Sequence, residues 1–247
     1  MSDARTDAFE IPSNWTFERA DIAKGFDRHV REQLPWYGLA TNALAHIARH
    51  YVPRGGLVYD LGASTGNVGN ALRETLRDRH AELVAIESSM HMVEQYRGPG
   101  RIVHGNAADF DYAPFDLAVA FLTLMFLSVE ERVQLLGKLR ARVRPGGAII
   151  VFDKTQATTG YPATILARMT LAGKVAAGVE PSEIIAKELS LGGVQRPIHP
   201  GLLGADAIEW FRFAEFCGWL IEGPSEADCA KSDNSLTKIF KENRGAT

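Results

Sequence analysis

The chain has 247 residues, 46% of them hydrophobic, and its 27 Lys plus Arg against 30 Asp plus Glu give a formal net charge of -3. That content buries one large core, which excludes disorder over most of the length, and the charge balance leaves no overall positive field for nucleic acid. Cys217 and Cys229 lack CxxC spacing, no apolar run reaches the roughly 18 residues a bilayer needs, and "MSDARTDAFE" holds no signal-peptide apolar stretch, so a cytoplasmic protein with reduced thiols and no membrane partner is expected.

In chain order, residues 1 to 13 are polar and read as mobile, and the aromatic and charged stretch "NWTFERADIAKGFDRHVREQLPWY" reads as helical. Leu39, Ala43, Leu44, Ile47, Ala48 and Tyr51 recur at helical spacing, and Pro53 with Gly55-Gly56 ends that helix. "LVYDL" (57 to 61) is a buried strand, followed by a glycine turn and a helix to about Arg79. "ELVAIE", "RIVH", "DLAVAF" and "GAIIVFD" repeat the strand theme with helices between most of them, and Pro145-Gly146-Gly147 reads as a turn into the last. Alternating strands and helices predict an α/β, doubly wound, mostly parallel sheet. The whole chain, 1–247, is expected to be one domain, with an N-terminal helical lid over 14–52 and a helical insertion over 155–205. A final helix around "DAIEWFRFAEF" and a strand "LTKIF" are expected to close it.

Gly62-Ala63-Ser64-Thr65-Gly66 matches the G-x-S-x-G of a hydrolase nucleophile elbow, which would make Ser64 a nucleophile. No oxyanion-hole loop precedes it, and the late His199 carries no supporting signature. The same residues fit the glycine turn after the first strand of a nucleotide-binding fold, and Glu87, at the end of the second strand and 21 positions after Gly66, is placed to accept from ribose hydroxyls. A dinucleotide fingerprint would need a middle glycine that is absent. Asp60, at the end of the first strand, would repel a pyrophosphate but accept from an ammonium. This favours S-adenosylmethionine over NAD as the cofactor.

"WTFER", "LPWYG", "VYDLGAS", "AIESSMHMVEQ", "FLTLMFLSVEER" and "RPGGAIIVFDK" resemble, in order and spacing from about residue 14 to 154, the class I S-adenosylmethionine-dependent methyltransferases, and within them the carboxy-S-adenosylmethionine synthase branch. The resemblance implies that Gly62, Ala63 and Ser64 hold the methionine part of the cofactor, Glu87 and Ser88 the ribose, and Asn106 with Ala107 the adenine. It places Tyr37 over the sulfonium and Phe121 at the cofactor's edge. Phe121 stands where the branch has asparagine, and the arginine that would bind an added carboxylate falls on Glu188, with Arg196 eight residues on. A carboxylate at 188 is expected to repel a carboxylate ligand, which puts methyl transfer to an unidentified acceptor ahead of a synthase-like enzyme of tRNA wobble-uridine modification. A non-catalytic cofactor-binding scaffold and an NAD-dependent dehydrogenase are the remaining alternatives.

Asp153, Glu188 and His199 are the candidate bases. His46 and His50 have the i, i+4 spacing of a metal pair but no third ligand, so a solvated helix face and no metal are expected. Met90 and Met92 are expected to pack the helix after the second strand onto the sheet. Direct DNA binding is disfavoured without a basic stripe, and a homodimer stays open.

Overall fold

The computed structural model describes residues 11–156 and 159–225. Two helices, α1 (Ala20–Gln33) and α2 (Tyr37–Ala48), lead into the sheet. Then come β1 (Leu57–Leu61), α3 (Asn67–Arg79), β2 (Glu82–Glu87), α4 (Met90–Glu94), β3 (Arg101–His104), β4 (Phe115–Phe121), α5 (Val129–Arg142) and β5 (Val143–Lys154). A helical pair, α6 (Tyr161–Ala176) and α7 (Pro181–Ser190), precedes the strands β6 (Ile208–Phe213) and β7 (Phe216–Glu222).

The seven strands lie in the order β3-β2-β1-β4-β5-β7-β6. The first five are parallel, as the strand-helix alternation predicts, while β7 runs antiparallel to both β5 and β6. The apolar runs fill two cores, one on each face. Tyr59, Leu61, Val84 and Ile86 point to one side; Val58, Leu83, Leu117 and Val119 point to the other. Each such side chain, fully buried, contributes roughly 1.5–3 kcal/mol. Leu44, Leu72 and Leu76 lay α2 and α3 on the second face. A capping box starts α5: Ser128 Oγ accepts the Glu131 N–H at 3.2 Å and Glu131 Oε2 accepts the Ser128 N–H at 2.8 Å.

Three sequence expectations change. "DAIEWFRFAEF" is not a helix but β6 and the turn into β7, with Ala214 at φ 51 as its corner. The aromatic spacing fits a helix, yet the segment pairs with β7, which itself lies along β5, and it lays Phe211 and Trp210 against Phe152. Pro145-Gly146-Gly147 lies inside β5, where Gly146 takes φ 74 and the pairing with β4 shifts between Phe115 and Leu117. A proline without an N–H donor is tolerated at such an irregularity. Met92 is buried but Met90 is 44% exposed, because the short α4 has one packed face. The expected strand "LTKIF" and Cys229 lie outside the described residues.

Candidate functional site

The parallel strands end on one side of the sheet, and the order reverses between β1 and β4, which opens a crevice at their carboxyl ends. A cavity of about 420 Å³ lies there. Its floor is the ends of β1, β2, β4 and β5; its roof is the segment before α1, α1 itself, α6 and α7. N-terminal segment and helical pair are joined: the Trp15 N–H donates to the Ser190 carbonyl at 2.8 Å, and Gln33 Nε2 donates to Glu183 Oε1 at 2.6 Å.

Eight of the eleven residues singled out from the sequence line this cavity: Tyr37, Asp60, Gly62, Ala63, Ser64, Glu87, Ser88 and Phe121. The glycine turn is drawn tight. Gly62 takes φ 67, Ser64 takes φ 49, and the N–H groups of Gly62 and Ala63 both donate to the Ile86 carbonyl. A Cβ on Gly62 would stand 2.7 Å from Thr123 Cγ2, so this position needs glycine for its space as well as its backbone. Glu87 fastens the turn from the next strand, its Oε2 accepting the Ser64 N–H at 2.8 Å and its Oε1 the Ser89 N–H at 2.9 Å.

Asp60 is fully buried, and its Oδ2 has no hydrogen-bond partner among the described residues. Burial, then the charge of Glu87, push its carboxyl up to about 7. A buried orphan oxygen of this kind at the cavity wall has the chemistry to accept from an ammonium. Tyr37 meets Phe121 edge to face at 5.4 Å, and Phe121 stacks on Phe152 at 4.8 Å, so the β4 side of the cavity is aromatic. Trp36, beside Tyr37, packs on Phe152 and Phe216 and anchors the core.

The other three residues are placed differently. Gly66 is the left-handed residue before α3, packed against Gly98 and Tyr96. Asn106 gives its Nδ2 to Glu131 Oε1 at 3.0 Å and accepts the Ala108 N–H, and the Ala107 carbonyl accepts from Tyr112. These two shape the wall beyond β3 and do not line the cavity.

Ser64 Oγ donates to Met92 Sδ at 3.6 Å, a sulfur and not a histidine, so the arrangement of a serine hydrolase is missing. Of the candidate bases, Asp153 is sealed under the site, accepting the N–H groups of Met125 and Lys154. His199 caps its own short helix by accepting the Gly201 N–H, and neither residue lines the cavity. Glu188 does.

The surroundings of Glu188 offset the repulsion expected of a lone carboxylate. Lys174 Nζ donates to its Oε1 at 2.8 Å and Lys154 Nζ stands 3.7 Å from its Oε2. Burial pushes the Glu188 carboxyl up, but these two lysines outweigh it and hold it below the usual range. Lys187, from the next helical position, projects over the Trp15 ring. Burial, then repulsion from Lys174, draw Lys187 down to about 6 against the pull of Glu188 and Glu183. Three lysines, Lys154, Lys174 and Lys187, thus line this corner around the carboxylate of Glu188. Arg196 is exposed and lies outside the cavity.

The lysine cluster, Thr123 and Gln33 were not singled out from the sequence. Thr123 Oγ1 donates to the Leu61 carbonyl at 2.7 Å and so ties the end of β4 to the end of β1. Among the described residues no helix is long and apolar enough to cross a membrane, and no group of three His, Cys, Asp or Glu could hold a metal.

Residues 58–147 match a family of methyltransferase domains. The chain is 28% identical over 190 residues to the carboxy-S-adenosyl-L-methionine synthase of Pseudomonas savastanoi pv. phaseolicola, covering 72% of this chain and 77% of the relative. It is 25% identical over 222 residues to the synthase of the same name from Staphylococcus epidermidis, covering 84% and 96%. Human N-acetylserotonin methyltransferase, solved with S-adenosylmethionine, shares the fold at a TM-score of 0.52 and 12% identity over 83% of this chain, which spans only 56% of the human enzyme's length. An S-adenosyl-L-methionine-dependent methyltransferase structure from Methanococcus maripaludis shares it at 0.53 and 14% identity, over 88% of this chain and 99% of that one. The core of the chain is a class I methyltransferase domain, with the carboxy-S-adenosylmethionine synthases among its relatives.

Proposed function

We propose that the protein is an S-adenosylmethionine-dependent methyltransferase acting on a small-molecule acceptor inside the cavity. The observation that carries the reading is the buried, unpartnered Asp60 oxygen at the end of β1, one strand from a Glu87 carboxylate that is already oriented by two backbone N–H groups. Asp60 accepts from the amino group of the cofactor's methionine part, Ala63 and Ser64 run along it, and Glu87 with Ser88 takes the ribose hydroxyls. Tyr37 and Phe121 cover the sulfonium. Asn106 and Ala107 shape the adenine end from behind, with Gly66 fixing the turn.

The bound cofactor supplies a methyl carbon on a positively charged sulfur, open to in-line displacement. The chain's own part is to align and to dry the site, the two contributions that positioning makes to such a transfer. Trp15 to Tyr37 and α6 with α7 close over the strand ends as one lid, joined by the Trp15–Ser190 and Gln33–Glu183 bonds. A second reading, carboxy-S-adenosylmethionine synthesis, draws support from the named relatives and from the lysines around Glu188. Against it stands Phe121, which offers no polar group.

Calorimetry with S-adenosylhomocysteine, the demethylated cofactor, and with NADH tests the proposal. One molecule of S-adenosylhomocysteine per chain with micromolar affinity is the expected outcome. Saturable NADH binding without it would overturn the reading and restore the dehydrogenase.

A further inference from the structure

Three lysines from three separate elements meet in the roofed corner of the cavity: Lys154 at the end of β5, Lys174 on α6 and Lys187 on α7. Two are nearly sealed from solvent, with side chains 11% and 7% exposed. An ammonium leaves water at a large cost unless it meets a counter-charge. Two carboxylates form ion pairs here, Glu188 shared between Lys154 and Lys174, and Glu215, 3.9 Å from Lys154, while Glu183 acts on Lys187 without pairing with it. Lys187 enters none of the ion pairs of the described residues and rests over the Trp15 ring. Lys187 thus lines the cavity with no carboxylate paired to it, and a bound anion would supply the counter-charge that its ammonium form needs.

The cluster is also set apart from the cofactor's end of the crevice. Asp60 and Glu87 close β1 and β2, whereas Lys154 closes β5, two strands beyond β1 in the order β1-β4-β5. Adjacent strands are about 4.8 Å apart, so the strand ends are separated by about 10 Å. Between them stand Phe121 and Leu122, and the same cavity has apolar walls that include Phe26, Phe126, Met125 and Leu191. An anionic head fits the lysines and an apolar body fits those walls.

We propose that Lys154, Lys174 and Lys187 form the subsite for the acceptor's acid group, and that the acceptor is a small carboxylic acid with an apolar body. Glu188 is the positioning residue of this subsite: it holds Lys154 and Lys174 together and leaves Lys187 to face the ligand. The acid is the handle by which the acceptor is oriented. The inference rests on the methyltransferase reading, because it assigns the strand ends of β1 and β2 to the cofactor.

The test uses the full chain loaded with S-adenosylhomocysteine, titrated with two acid and amide pairs, 3-phenylpropionate with 3-phenylpropionamide and hexanoate with hexanamide. For at least one pair the acid is expected to bind tenfold or more tightly than the amide. Lys187→Met should reduce that preference at least fivefold while leaving the affinity for S-adenosylhomocysteine within twofold. The paired variant Lys174→Met with Glu188→Met, which removes one charge of each sign, should do the same and guards against misfolding of the first. Equal affinities for acid and amide, or no binding of either acid, would overturn the proposal. So would a loss of S-adenosylhomocysteine affinity as large as the loss of acid affinity, since the cluster would then serve the cofactor's own carboxylate. Failure of the unaltered protein to bind S-adenosylhomocysteine at all would overturn the methyltransferase reading first, and this one with it.

Discussion

Glu87 and Ser64, 23 residues apart in sequence, are joined by a 2.8 Å hydrogen bond that runs from the backbone of the glycine turn to a carboxylate on the neighbouring strand. The second strand therefore holds the shape of the turn after the first. Glu87→Ala leaves two backbone N–H groups, Ser64 and Ser89, without their acceptor, at a cost of about 1–3 kcal/mol for each one that water cannot reach. The variant should unfold at lower denaturant and bind S-adenosylhomocysteine at least tenfold more weakly. Glu87→Gln, which keeps one acceptor oxygen, should lose less of both.

Asp60 supplies a pH signature. Its carboxyl, raised to about 7 by burial and by Glu87, holds a proton in the folded chain at pH values where the unfolded chain has released it. Asp153, raised to about 7 chiefly by burial, behaves the same way. These two carboxyls bind more protons in the folded state than in the unfolded one between about pH 4 and 7, so their contribution to stability falls as pH rises through that window, while His29 and Lys187, drawn down by burial to about 4 and about 6, contribute in the opposite sense. In urea unfolding at pH 5 and pH 7.5, Asp60→Asn should lose less stability, or gain more, than the unaltered protein as pH rises. Binding has the opposite dependence, because the ionised carboxylate is the form that accepts from an ammonium. Affinity for S-adenosylhomocysteine should rise roughly three- to tenfold from pH 6 to pH 8, and become flat in Asp60→Asn; a flat profile in the unaltered protein would separate Asp60 from the cofactor's amino group.

Gly62→Ala and Ser64→Ala separate space from chemistry in the same turn. Alanine at 62 brings a Cβ into Thr123 at a backbone angle that side chains rarely adopt, and about 2 kcal/mol or more of stability should be lost with cofactor binding. Alanine at 64 removes only a hydroxyl that donates to a methionine sulfur. Binding should weaken less than fivefold, methyl transfer should persist, and a fluorophosphonate should not label the unaltered serine.

Hydrogen exchange tests the lid. With S-adenosylhomocysteine bound, protection should rise in residues 14–37 and 159–204 as well as at 58–69, because the Trp15–Ser190 and Gln33–Glu183 bonds tie the two roof pieces together. Protection confined to 58–110 would assign the helical pair to some other contact.

The half of the crevice at the ends of β1 and β2 was legible in the sequence because its signals are local. Asp60, Gly62 and Glu87 sit at the ends of short apolar runs, where a strand must stop and a ligand-facing turn begin. The half beneath α6 and α7 was not. Lys154, Lys174 and Lys187 come from a strand and two helices and share no period, and Glu188 read alone did not reveal the lysines that offset its charge. The β6–β7 hairpin was missed for a related reason: its aromatic residues suit a helix locally, and only the open edge of β5 makes them strands.

The reversal of β7 has a consequence for how this protein can change. Because that strand runs against β5, the hairpin corner at Ala214 and Glu215 returns to the same mouth where β5 ends, and it brings a carboxylate to Lys154. One half of the crevice is thus made of strand ends that the core cannot release, and the other of a hairpin corner and a pair of helices that hang from it. Replacing the second set alters what is recognised without disturbing what is shared with the rest of the fold, so grafting 159–204 and 214–216 from a relative should exchange acceptors while the cofactor half is inherited intact.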